Sequence, residues 1–102
     1  MRDAGAMSTS RPDLVVSRRD DRYELHDGDE LLSFAPYSEV DGVVVLPHVE
    51  TQVQHRGNGY SSELLAGVVH DLRARGVRID PICSVARQYV AGLPDAADLT
   101  AR

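Results

Sequence analysis

Gln54-His55-Arg56-Gly57-Asn58-Gly59 joins two stretches of different periodicity, and its reading decides the fold. Before it, Val43-Val44-Val45-Leu46 is an unbroken apolar run, the pattern of a strand covered on both faces. After it, Leu64, Leu65, Val68, Val69 and Leu72 recur on one helical face, with Glu63, Asp71, Arg73 and Arg75 on the other. Gly76 stands where a helix C-cap glycine belongs, and Val77-Arg78-Ile79-Asp80 follows as a strand ended by Pro81. Strand, helix and strand of these lengths make a parallel crossover. The glycine stretch therefore falls at the carboxyl end of a strand, where open α/β sheets bind ligands. Two glycines let the backbone turn sharply and approach a ligand closely. The helix that starts after them offers unpaired N–H groups and a partial positive charge, a ready site for phosphate.

Two common phosphate loops do not fit. The nucleoside triphosphate loop ends in Gly-Lys-Ser/Thr, and this chain contains no lysine. The dinucleotide fingerprint Gly-x-Gly-x-x-Gly stops at Ser62 and should follow the first strand of its domain.

The remainder is consistent with one small domain. The chain has 102 residues, 42% of them apolar, enough for a modest single core. A net charge of -5 argues against nucleic acid or an anionic membrane surface as partner. A single cysteine excludes an internal disulfide. No apolar run approaches the ~18 residues of a spanning helix, and a signal-peptide core is missing, so a cytoplasmic protein is expected. Residues 1–12 are small, polar and charged, and predict a disordered leader before a single domain at 13–102.

Within that domain, Leu14-Val15-Val16, Tyr23-Glu24-Leu25 and Leu31-Leu32-Ser33-Phe34-Ala35 read as strands, the last two joined by a hairpin turn at Asp27-Gly28. Residues 37–42 contain another turn. Residues 43–51 read as a fourth strand in which Pro47, lacking an N–H, forces a bulge or a break in pairing. Residues 58–75 read as the long helix, 84–91 as a short helix closed by Gly92, and 94–102 as a final turn or fraying helix. The fold class is α/β (α+β mixed sheet): a central mixed β-sheet, one long helix after the fourth strand and a short C-terminal helix.

The pattern Gln/Arg-x-x-Gly-x-Gly/Ala at a strand-to-helix turn late in a small α/β domain resembles the pyrophosphate motif of the GNAT superfamily of acyl-CoA-dependent N-acetyltransferases. His48 upstream of the turn and Pro81-Ile82-Cys83 after the next strand extend the likeness to the compact YjdJ-type members of that superfamily. The resemblance covers about residues 23–99. Val49 stands where that family usually has threonine, and Ser84 where it usually has proline. The resemblance implies acetyl-CoA (coenzyme A) as cofactor and an amine, small molecule or protein, as acceptor. It implies a cofactor-binding segment of Gln54, Arg56, Gly57, Asn58, Gly59, Tyr60, Ser61 and Ser62.

Each candidate residue also has a plainer reading. Gly57 and Gly59 also suit an ordinary turn, Arg56 a solvated side chain, and Ser61 and Ser62 simple helix caps. Cys83 reads either as a small hydrophobe or as a thiolate favoured by the following helix N-terminus. The resemblance places it near the acyl thioester. His48 reads as a base for the amine or for Cys83, or as a structural histidine. Tyr89 occupies the segment that resembles the one carrying the GNAT general-acid tyrosine, and by periodicity is the apolar face of a short helix. His26, His55 and His70 lack partners at metal spacing, so no metal site is expected. The acidic residues Asp27, Asp29 and Glu30 read as a solvated turn. The short hairpin at 26–30, where larger relatives carry acceptor-binding helices, keeps open a CoA-binding or interaction module without turnover. A monomer or weak homodimer is expected.

Overall fold

The computed structural model describes residues 6–7 and 13–101. Among these residues, eight strands form two sheets. The first has the order β1-β2-β3-β4-β7 and is antiparallel throughout: β1 Ala6–Met7, β2 Leu14–Arg18, β3 Arg22–Asp27, β4 Glu30–Pro36 and β7 Glu50–Thr51. The second has the order β5-β6-β8: β5 Ser38–Val40, β6 Val43–Leu46 and β8 Arg78–Pro81, with β5 antiparallel and β8 parallel to β6. A short 3-10 helix, Val53–His55, precedes the long helix α1, Tyr60–Arg75, and two further helices, α2 Ser84–Ala91 and α3 Ala96–Leu99, close the chain.

The expected α/β topology with a parallel crossover through the long helix is present, and four details differ from the sequence reading. The leader expected at 1–12 lies outside the described residues except for Ala6–Met7, which form a strand because the outer side of β2 presents pairing groups to them. Residues 37–42 contain β5 as well as a turn, and Asp41 (φ 53°) with Gly42 (φ 78°) makes the two-residue hairpin connection to β6. The bulge or break in pairing expected at Pro47 within the fourth strand is present as a break, and it divides the central sheet in two. The break falls at Pro47, and the chain leaves β6 there and joins β4 as β7 three residues later. The final turn or fraying helix proves to be α3, after which Thr100 bridges in parallel to Ile79.

The fourth difference concerns Asp71, which helical periodicity placed on the solvent face. It is buried, and its carboxylate accepts from Arg18 Nη1 at both oxygens (2.8 and 2.9 Å), from the Tyr23 hydroxyl (2.6 Å) and from Arg75 Nε (3.2 Å). Burial first, then the adjacent carboxylate, holds the Tyr23 phenol well above its ordinary titration range. Tyr23 thus remains a hydrogen-bond donor to Asp71.

Helix α1 packs its apolar face over the first sheet, with Leu64, Leu65, Val68 and Leu72 fully buried against Val16, Leu25 and Leu32 in one core. Gly76, in the left-handed region, ends the helix: its N–H donates to Arg73 O and the Val77 N–H to Leu72 O, a Schellman arrangement. At Gly67 the helix lies close against β2. A Cβ there would lie 2.5 to 2.9 Å from the Cγ and Cβ atoms of Val16. Because the β-branched Val16 has no flexible end to move aside, Gly67→Ala is expected to push the helix off β2 and to destabilise by about 1–3 kcal/mol. Urea unfolding would measure it, and a neutral or stabilising result would contradict this packing.

Candidate functional site

The break at Pro47 creates the site. At the end of β6, Leu46 O accepts from both Ile82 N (3.0 Å) and Cys83 N (3.1 Å), so β6 and β8 stay together to that point. Beyond it β8 runs into α2 while the other strand turns away to β4. The turned segment is pinned there: Gln52 N donates to Leu32 O, and the buried Ser33 hydroxyl donates to Glu50 O (2.7 Å). A cavity of about 420 Å³ opens where the strands part. Its walls are His48, Val49, Glu50 and Thr51 from the break and β7, His55, Arg56, Gly57 and Gly59 from the turn, Tyr60 and Ser61 from the start of α1, and Val85 from α2.

The glycine turn has the conformation its sequence demands. Gly57 (φ 85°) and Gly59 (φ 76°) both occupy the left-handed region. Gly59 is the N-cap of α1 and brings no side chain to its first turn, and Gly59, Tyr60 and Ser61 line the cavity, so the positive end of the helix lies at it. Asn58 Nδ2 donates to His55 O (3.0 Å) and Arg56 Nε to Thr51 O (3.3 Å), which ties the turn back on itself and to β7.

The structure gathers six of the expected residues at this cavity: His48, Arg56, Gly57, Gly59, Tyr60 and Ser61. Gln54, on the 3-10 helix, Asn58 and Ser62 are exposed and lie outside its lining. Cys83 is half-buried against the core and is the N-cap residue of α2, two residues before the cavity residue Val85. Tyr89 packs half-buried against the core on α2, also outside the lining. Burial raises its phenol above the ordinary value, an effect that Arg73 opposes and Glu63 reinforces, so it stays protonated at neutral pH.

Periodicity and motif spacing did not give five of the lining residues as site residues: Val49, Glu50, Thr51, His55 and Val85. Glu50 Oε1 lies 2.9 Å from His48 Nε2, and Glu30 Oε2 lies 2.6 Å from His55 Nε2. Glu30 is therefore paired where a solvated turn was expected. His48 and Glu50 sit at i and i+2 in the sequence, and that spacing across a break was the available signal. The Glu30–His55 pair spans two elements and left no such trace.

A family profile described as GCN5-related N-acetyl-transferase matches residues 22–99. The chain belongs to the GCN5-related N-acetyltransferase family. A GCN5-like protein from Staphylococcus aureus, whose structure was determined in solution by NMR, shares the fold with a TM-score of 0.59 at 20% identity, over 88% of this chain and 90% of that one. No curated protein sequence matches the chain. For this GCN5-related N-acetyltransferase the family match covers both the strand break and the glycine turn, so the cavity between them lies inside the shared domain. No helix among the described residues is long and apolar enough to cross a membrane.

Proposed function

We propose that the protein is a minimal, YjdJ-type N-acetyltransferase that takes an acetyl group from acetyl-CoA and passes it to an amine. The observation that carries this reading is the pair of left-handed glycines at a helix N-terminus without a side-chain cap, opening on a cavity that also presents His48. The residues present fit the cofactor. Apart from Gly57 and its two chain neighbours, no heavy atom lies within 4 Å of the position a Cβ would take there, so the space beside that backbone is open. Arg56 lines the same wall and supplies the positive charge a pyrophosphate needs.

The first-turn N–H groups of α1, with Gly57, Gly59 and Ser61, would hold the pyrophosphate, and the strand break at 47–49 would receive the pantetheine arm. When bound, the cofactor supplies an acyl thioester. His48, exposed on the cavity wall with Glu50 against its Nε2, would accept the proton of the incoming amine. Cys83, at the start of α2 beside the parting strands, would contact the acyl group or carry it transiently as a thioester. For Tyr89 the support is its protonated phenol alone, which could return a proton to the departing thiolate.

Incubation with acetyl-CoA and a panel of amines and peptides, with detection of free thiol, tests turnover. CoA release above the buffer rate with at least one amine is expected. Intact mass after acetyl-CoA alone tests Cys83: an acetyl adduct lost in Cys83→Ala marks a covalent route, and an adduct retained in Cys83→Ala contradicts it. A second reading, a CoA-binding module without turnover, is favoured by the two-residue loop between β3 and β4, which adds little acceptor surface. Binding without CoA release for any amine would select that reading.

A further inference from the structure

We infer that His55 is a ligand of the cofactor's phosphate groups, that Glu30 on the β3–β4 hairpin holds it in place, and that cofactor binding draws a proton onto its imidazole. The inference rests on the acetyl-CoA reading above and adds a residue and a proton to it.

His55 is anchored at several points. Its N–H donates to Gln52 O (2.9 Å), its carbonyl accepts from Asn58, its Nε2 meets Glu30 Oε2 at 2.6 Å, and its ring stands edge-on to Tyr60 with centroids 6.0 Å apart. The side chain is only 19% exposed, yet it lines the cavity beside Arg56, Gly57 and Gly59. A carboxylate only accepts, so the nitrogen facing Glu30 carries the hydrogen. In the neutral ring that leaves Nδ1 bare, and among the described residues Nδ1 has no hydrogen-bond partner. Only the imidazolium presents an N–H on both sides, one to Glu30 and one to an anion in the cavity.

A phosphate at the glycine turn completes that arrangement. The imidazolium then bridges the Glu30 carboxylate and the phosphate, and each anion favours the charged ring. The other ionisable groups around it are Arg56 within the turn, which opposes protonation, Tyr60 at the start of α1, and His48 and Glu50 in the same cavity lining. Asp27 and Asp29 on the hairpin carry the same sign as Glu30. Because the bound state holds the extra proton, raising the pH weakens acetyl-CoA binding. The acidic hairpin, which looks idle when viewed as an acceptor site, thereby serves the cofactor.

Isothermal titration of the full chain with acetyl-CoA at pH 7, in two buffers of different ionisation enthalpy, tests this. The wild type is expected to take up a fraction of a proton on binding. His55→Gln should abolish that uptake and weaken binding about tenfold, and Glu30→Gln should reduce both by a smaller factor. Should either substitution disturb folding, nitrogen-15 shifts of the His55 ring in the wild type report the same event, with both nitrogens protonated once acetyl-CoA is added. Binding by the wild type with no buffer dependence, or full uptake retained by His55→Gln, overturns the inference and leaves the cofactor reading standing. Absence of any binding by the wild type overturns both.

Discussion

Asp71→Ala is expected to lower the free energy of unfolding by about 3–5 kcal/mol, the range found when one member of a buried charged network is removed. Against a total of about 5–15 kcal/mol for a domain of this size, that is enough to leave a substantial unfolded population at 37 °C. Asp71 is 8% exposed and gathers three donors, so its removal leaves the fully buried Tyr23 hydroxyl without its acceptor and deprives Arg18 and Arg75 of their shared counter-charge. The two arginines are about a third exposed and can turn to water, whereas Tyr23 cannot. Replacing Arg18 alone should therefore cost much less, about 1 kcal/mol. Chemical denaturation of the two variants measures the contrast. A loss below about 1 kcal/mol for Asp71→Ala would show that the network contributes little and that α1 is held by its apolar face alone.

The network also shows where sequence pattern and structure part. Helical periodicity recovered α1 from Leu64, Leu65, Val68, Val69 and Leu72 because an apolar stripe is a local signal. It sent Asp71 to the solvent face because periodicity counts polarity and not partners, and the partners, Arg18 and Tyr23, lie about fifty residues upstream. Gly67 gave no signal either, since what excludes a side chain there is Val16 on another element. The same division runs through the site. The glycine turn, the break at Pro47 and Cys83 at the mouth of α2 were legible because each is set by its own residues: left-handed φ, a missing N–H, a helix start. Glu50, Val85 and the Glu30–His55 pair were not, because the cavity that unites them exists only once β7 has crossed to β4.

Gly57→Val is expected to weaken acetyl-CoA binding about a hundredfold or more while leaving the fold largely intact. Valine at φ 85° is strained by about 1–3 kcal/mol. The space at the Cβ position is open, so the protein can relieve this strain by re-folding the turn itself. Relief of that kind moves the N–H groups proposed to receive the phosphate, and each charge-assisted hydrogen bond lost costs about 1.5–3 kcal/mol. Two such losses correspond to about two to four decades in affinity. Circular dichroism and thermal unfolding would confirm that the variant is folded, and isothermal titration would give the affinity. A folded Gly57→Val that binds acetyl-CoA as tightly as the wild type would remove the turn from the binding site.

The central claim is that this turn is a cofactor site, and an amide NMR titration of the labelled wild-type protein addresses it most directly. With acetyl-CoA, shifts are predicted to centre on residues 55–61 and to extend to Cys83, whereas ATP and NAD at the same concentration leave the Cys83 amide unmoved. If millimolar acetyl-CoA shifts neither the turn nor Cys83, the glycines serve only to bend the chain, and the protein shares the family's fold without using it to bind an acyl donor.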